Sequence, residues 1–254
     1  MDVALWKQKI TPHSAPPWPC PHCKRGTLVL VKDSLTPAET VASATAHDDP
    51  NWDPDWVAYT FSCWLKCANT ACGQRVAVIG TGGLEPRFDP EVRQESWEPL
   101  YSPSYAIPMP QVFEIPDDCP LDVQTALDDS FRLIWSDPSA AASRLRVALE
   151  VMLSKIGVPE RQRKPGKIVT LTLHRRIEIL GATAESVATN LMAVKWLGNT
   201  GSHDTAVTLD DLFTAYEIVK HAIDELIAKR TKSVAALARN LKKKHLPRVR
   251  KMKK

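Results

Sequence analysis

The sequence predicts an α+β chain: a small β-rich part first, a helical part after it, and a basic tail. Three observations predict this. Five of the six cysteines (Cys20, Cys23, Cys63, Cys67 and Cys72) fall within the first 72 residues, among short runs of β-branched and aromatic residues. From Pro120 onward, apolar residues recur at three- and four-residue spacing, the period of a helix face. The last 26 residues, from Lys229, hold 12 Lys and Arg and no Asp or Glu.

At 254 residues the chain has room for two domains. A hydrophobic content of 44% against 24% charged residues is that of a soluble globular protein. No apolar run approaches the ~18 residues that would span a bilayer. The N-terminal MDVALWKQKI lacks a basic stretch followed by an apolar one, so no secretory signal is expected. The expected location is the cytoplasm, where clustered cysteines favour metal ligation over disulfides.

Residues 1–18 read as irregular, because Pro12, Pro16 and Pro17 interrupt regular structure there and Pro19 follows. Strands are expected at 27–32, 57–65 and 75–80, where β-formers alternate or run together. Thr36 to Asp55 shows no apolar period and reads as a loop, with Trp52 and Trp56 at its acidic end. Together these make a β domain over 1–83. Residues 84–119 are rich in Pro, Trp and Tyr and read as an extended connector, since prolines exclude helix and central strand.

The helical domain is expected over 120–228. Helices are expected at 121–135, 138–156, 168–180, 185–197 and from 208 to about 227, with a basic loop over 159–167. Leu145, Leu149, Met152, Leu153 and Ile156 form the apolar stripe of the second. Gly157 and Pro159 stop it. Thr208 with Asp211 three residues on reads as an N-cap with an acidic first turn.

Cys20-Pro-His-Cys23 places two thiols on one tight knuckle. Cys67 and Cys72 supply a second pair, with Gly73 available for a positive-φ turn. Two such knuckles can close a tetrahedral thiolate shell around zinc, as in a zinc ribbon. Cys63 competes with Cys67 for the third position. The alternative is a small β domain whose cysteines are simply reduced. A four-thiolate shell leaves no open coordination position, so such a zinc is structural. His22 is expected to point away, and Cys119 to be a buried packing residue.

The tail, residues 229–254, leaves the other 228 residues with 21 Lys and Arg against 29 Asp and Glu, a balance of −8. A basic tail on an acidic body contacts nucleic acid through phosphates, or serves only as a solvated end. Its cations are candidates for nucleic-acid contact, namely Lys242, Lys243, Lys244, Arg248, Arg250 and Lys251.

Residues 120–228 resemble the bacterial family DUF4145, a domain of unknown function. The residues that carry the resemblance are Ala141 to Glu150, with Arg146, Leu149 and Glu150 in an Arg-x-x-Leu-Glu element, and then Gly198, Asn199 and His203. A cysteine-knuckle pair before the helices fits the same family. The resemblance implies a HEPN-like helical bundle of about five helices that dimerises. Many HEPN proteins are metal-independent ribonucleases built on an arginine and a histidine, often in phage-defence systems. Here Gly198 stands where that arginine would be, so His203 and Asn199 would need a surrogate cation, Lys195 or Arg146. A structural network of Arg146, Glu150, Asn199 and His203 is the other reading of the same residues. The expectation is therefore a nucleic-acid- or protein-binding adaptor of a defence or restriction-type system, with structural zinc and a dimerising bundle. A HEPN-type endoribonuclease and a purely structural interaction module are the competitors.

Overall fold

The computed structural model describes residues 1–89, 94–197 and 206–245. A curled antiparallel sheet comes first, and the helices follow. The sheet is made of β1 (Leu28–Leu30), β2 (Thr36–Glu39), β3 (Ala58–Cys67), β4 (Arg75–Asp89) and β5 (Gln94–Ile107). β3 is the organising strand. Its alternation sends Phe61, Cys63, Leu65 and Cys67 into the core and leaves Thr60, Ser62, Trp64 and Lys66 outside. One edge of β3 carries both β1, opposite Leu65 to Cys67, and β2, opposite Tyr59 to Ser62. The other edge pairs with β4, from Lys66 opposite Arg75 to Ala58 opposite Gly83.

The connector expected over 84–119 is in its first part a strand. β5 pairs with β4 along nearly its whole length, and beyond the end of β3 the two continue as a ribbon. The prolines of 94–107 are compatible with this because β5 is the edge strand, where a missing N–H costs no ladder bond. The register shifts between Ile79 and Gly80. A Cβ on Gly80 would lie 2.1 Å from the Ser102 carbonyl oxygen, so only glycine fits that approach.

The segment expected to be a loop from Thr36 to Asp55 also carries structure. It holds β2, a short helix α2 (Val41–Ala46) and a 3-10 turn over Pro54–Trp56. Capping accounts for α2 where periodicity could not: the Thr40 hydroxyl accepts from the Ser43 N–H at 3.3 Å. The buried Ser43 hydroxyl donates to Glu39 at 2.6 Å and accepts from the Ala58 N–H at 3.1 Å, which ties the excursion to β3.

The helical part holds α3 (Leu121–Phe131), α4 (Pro138–Lys155), α5 (Leu173–Gly181), α6 (Glu185–Leu197) and α7 (Leu209–Leu226). Asp137 caps α4, accepting from Ala140 N–H at 2.8 Å, with Pro138 at the first helical position. At the other end Gly157 has φ +90, and the Val158 N–H reaches back to the Leu153 carbonyl, a Schellman closure. Thr208 and Asp211 form a reciprocal capping box at the start of α7. Between α4 and α5 the expected basic loop and helix start are instead a hairpin, β6 (Arg161–Lys164) with β7 (Lys167–Thr170). The β-branched Ile168, Val169 and Thr170 favour strand, Gly166 turns the chain at φ +77, and Thr172 caps α5 four residues after the expected start. Phe131 meets Tyr216 edge-on at 5.3 Å, and the Tyr216 hydroxyl lies 2.7 Å from Ser130, which bonds the Ala141 carbonyl. The basic tail is helical over α8 (Arg230–His245). The described residues thus hold eight α-helices, α1 included, none long and apolar enough to cross a membrane.

The first residues are not irregular. Asp2 caps a short helix, α1 (Val3–Lys7), and Ile10 makes two backbone hydrogen bonds with Tyr101 of β5. Trp6 of α1 stacks on Trp18 at 6.3 Å and lies 5.9 Å from Trp135 and 6.5 Å from Phe213. Trp18 and Trp135 are 5.0 Å apart. Both indole N–H groups are satisfied by α1 itself, Trp18 on the Leu5 carbonyl at 3.2 Å and Trp135 on the Trp6 carbonyl at 3.0 Å. These rings join the sheet and the helices into one contiguous core. Replacing the fully buried Trp18 by Ala removes one ring of that joint and leaves the contacts of Trp6 with Trp135 and Phe213. The expected cost is about 3–5 kcal/mol. Sheet and helix signals should still melt together in thermal denaturation, at a markedly lower temperature.

Candidate metal centre

The first knuckle is set by backbone. The Cys20 N–H bonds the Gly26 carbonyl at 2.8 Å, the Leu28 N–H bonds the Trp18 carbonyl at 2.8 Å, and Lys24 takes φ 56 to close the turn. In the second, the Cys72 N–H bonds the Asn69 carbonyl at 2.9 Å, the Ala71 N–H bonds the Asn69 side chain at 3.1 Å, and Gly73 turns at φ +62. The Ala68 N–H bonds the Thr27 carbonyl and ties one knuckle to the other.

The result is a cluster of four sulfurs, from Cys20, Cys23, Cys67 and Cys72, all within 4.8 Å of one another. Cys20 and Cys72 sulfurs are 3.8 Å apart, and those of Cys23 and Cys67 are 3.7 Å apart. A disulfide would bring a pair to about 2.05 Å. Four thiolates at ~2.3 Å from a central zinc have tetrahedral edges of about 3.8 Å. The spacing fits a tetrahedral metal ion and no disulfide.

The surroundings fit the same group. The Gly26 N–H donates to Cys23 Sγ at 3.4 Å and, with the backbone at Arg25, holds that thiol well down, at about 6. Burial pushes Cys67 up to about 12. A divalent cation offsets the cost of gathering thiolates by deprotonating them outright. Gly26 leaves the space the cluster needs, since a Cβ there would sit 2.5 Å from Cys67 Sγ. Cys63 is not in the cluster. It lies in the core opposite Val78 on β4, and burial alone pushes its thiol to about 12. Cys119 is buried as expected, its thiol raised to about 11. His22 departs from expectation: its ring does not point away, and Nδ1 lies 3.6 Å from Cys72 Sγ. In the tautomer that protonates Nδ1, this ring would donate to Cys72 and orient it toward a metal held by the cluster.

The expected polar site in the helical part is only partly within view. Gly198, Asn199 and His203 lie outside the described residues. Arg146 is half-buried on α4, and Glu150 is exposed one turn on. The Lys195 ammonium lies 3.4 Å over the ring of its neighbour Trp196. Beside Glu150 the structure builds a polar group that sequence reasoning passed over. Buried Arg176 of α5 donates to Ser154 at 2.8 Å and to the Val158 carbonyl at 3.2 Å, and Ser154 lies 2.6 Å from Glu160. This group fastens α5 and the start of the hairpin onto α4. In the tail, Lys242 is exposed on α8, whereas the side chains of Lys243 and Lys244 are not described, and Arg248, Arg250 and Lys251 lie beyond the described residues.

Two family models match the chain. Residues 8–106 match DUF8608 and residues 128–248 match DUF4145, each a domain of unknown function. Neither a curated protein nor a solved structure matches it. The second match falls on the helices that carry Arg146, Glu150 and Lys195, and the first encloses both cysteine knuckles.

Metal analysis of the purified chain should find about one bound divalent ion. Cys20→Ser should lose it and Cys63→Ser should keep it. Gly26→Ala should keep the fold of the helices but weaken metal retention against a chelator, because Cys67 must move.

Proposed function

We propose that this protein is a nucleic-acid-binding adaptor. A structural zinc on Cys20, Cys23, Cys67 and Cys72 would hold a ribbon-like N-terminal part in shape, and the C-terminal helix and tail would supply the electrostatic contact. The observation that carries this reading is the segregation of charge. α8 carries six Lys and Arg and no carboxylate, while the residues before Lys229 sum to −8. Arg239 and Lys242 are exposed on that helix. Such a segment neutralises phosphates and releases counterions.

In this reading the metal site takes no part in chemistry, because four thiolates fill a tetrahedral shell. The helical part would be HEPN-like and dimerising, as its resemblance to DUF4145 suggests, and the setting a bacterial or phage-related defence or restriction-type system. Binding stands ahead of RNA cleavage because Gly198 replaces the arginine of the ribonuclease pattern and Lys195 lies against Trp196.

The affinity of the full chain for labelled duplex and single-stranded oligonucleotides should fall linearly on logarithmic axes as salt rises. Deleting residues 229–254 should flatten that slope by several units. An unchanged slope refutes the tail's role. RNA cleaved without metal by the full chain but not by His203→Ala would replace the adaptor reading with the enzymatic one.

A further inference from the structure

We propose that the open face of the N-terminal sheet is a stacking platform for single-stranded nucleic acid, with Trp64 and Tyr105 as the rings that carry the bases. The proposal rests on the nucleic-acid reading above but places the contact on a second surface, independent of α8.

The outward positions of an antiparallel sheet packed on one side are ordinarily polar. Here they are not. Trp64 on β3 is 46% exposed, Ile79 on β4 50%, Tyr105 on β5 44% and Ile107 71%. The register places them side by side. Trp64 is opposite Ala77, which is opposite Ile107, and Ser62 is opposite Ile79, which is opposite Tyr105. These four residues form one apolar patch across three strands, of the kind that marks a binding surface.

The pattern favours nucleic acid over a protein partner in two ways. The neighbours of Trp64 are small, with Ala77 opposite it and Ser62 two residues before it, while Tyr105 is flanked by the apolar Ile79 and Ile107. Strands lie ~4.8 Å apart and residues ~3.4 Å apart along them, which sets the two ring-bearing backbones about 12 Å apart across β4. Ile79 lies between them, and a few nucleotides span that gap. The second argument is charge. The next row toward the metal knuckles is Val29, Lys66 and Arg75, and the row on the other side is Thr60, Thr81 and Ser102. Cations border the rings at one end, hydroxyls at the other, and no carboxylate stands in any of these rows. Aromatic rings beside cations are the means by which sheets hold single strands without reading their sequence.

The test uses the full metal-loaded chain and fluorescently labelled oligo(dT) and oligo(U). Trp64→Ala and Tyr105→Ala remove exposed side chains, and circular dichroism should show both variants folded. Each should weaken single-strand binding about tenfold with the salt slope nearly unchanged, and Trp64→Phe should retain most of the affinity. The chain lacking 229–254 should still bind single strands and still lose affinity with Trp64→Ala. Single-strand binding that neither ring variant alters overturns the platform while leaving the tail reading intact. A chain that binds no nucleic acid of any kind overturns both. A self-association that Trp64→Ala abolishes, with no effect on oligonucleotides, would assign the face to a second copy and also overturn the proposal.

Discussion

The joint between Trp6, Trp18 and Trp135 is the interaction on which the rest of the structure depends. The sheet alone curls around an incomplete core, and the helices alone would leave Trp135 and Phe213 facing water. α1 fills the gap with one indole and two carbonyl groups, and those carbonyls satisfy the N–H groups of the other two indoles. Burying three large aromatic rings is favourable only if their polar atoms are paired, and here the same five-residue helix supplies both the ring and the acceptors.

The four-cysteine cluster depends on the same region. Trp18 is two residues before Cys20, and the backbone bracket between 18–20 and 26–28 both seats the indole and shapes the first knuckle. The ordering of the knuckle and the seating of the ring are therefore one event. On the outer side of the same sheet, β3 divides its residues between two tasks: Cys63, Leu65 and Cys67 face the core, while Trp64 and Lys66 face out. A metal ion held by the four cysteines at the end of β3 would fix the strand and, with it, the spacing of whatever lies on its open face.

Much of this was legible in the sequence, where one kind of signal dominated. The apolar stripe of α4, its stop at Gly157, the capping pair Thr208 and Asp211 and the two cysteine knuckles are all local patterns, and each is a local structure. What stayed hidden depends on partners far away in the chain. The strand nature of 94–107 comes from pairing with β4, and no propensity in a proline-rich segment announces it. α1 and α2 are too short for a periodic signal and exist because Asp2 and Thr40 cap them and because Trp6 and Ser43 have somewhere to be buried. Cys63 and Cys67 share the core face of β3, and position along the strand separates them: Cys67 ends it beside the knuckles, while Cys63 lies four residues back, opposite Val78. The inverse lesson comes from Trp64. It stands among the outward-facing polar residues of β3, an exception that gains its meaning only once the register sets it beside Ile79 and Ile107.

The two family matches divide the chain between them, yet the joint respects neither boundary. Trp18 falls within the first match and Trp135 and Phe213 within the second, while Trp6 lies in neither. A recombination event that exchanged one half for a foreign domain at the obvious border would carry away half of the aromatic joint and strand the other half in solvent. The two matched segments are distinct as sequences, but the aromatic joint draws on both of them and on α1, which lies outside either.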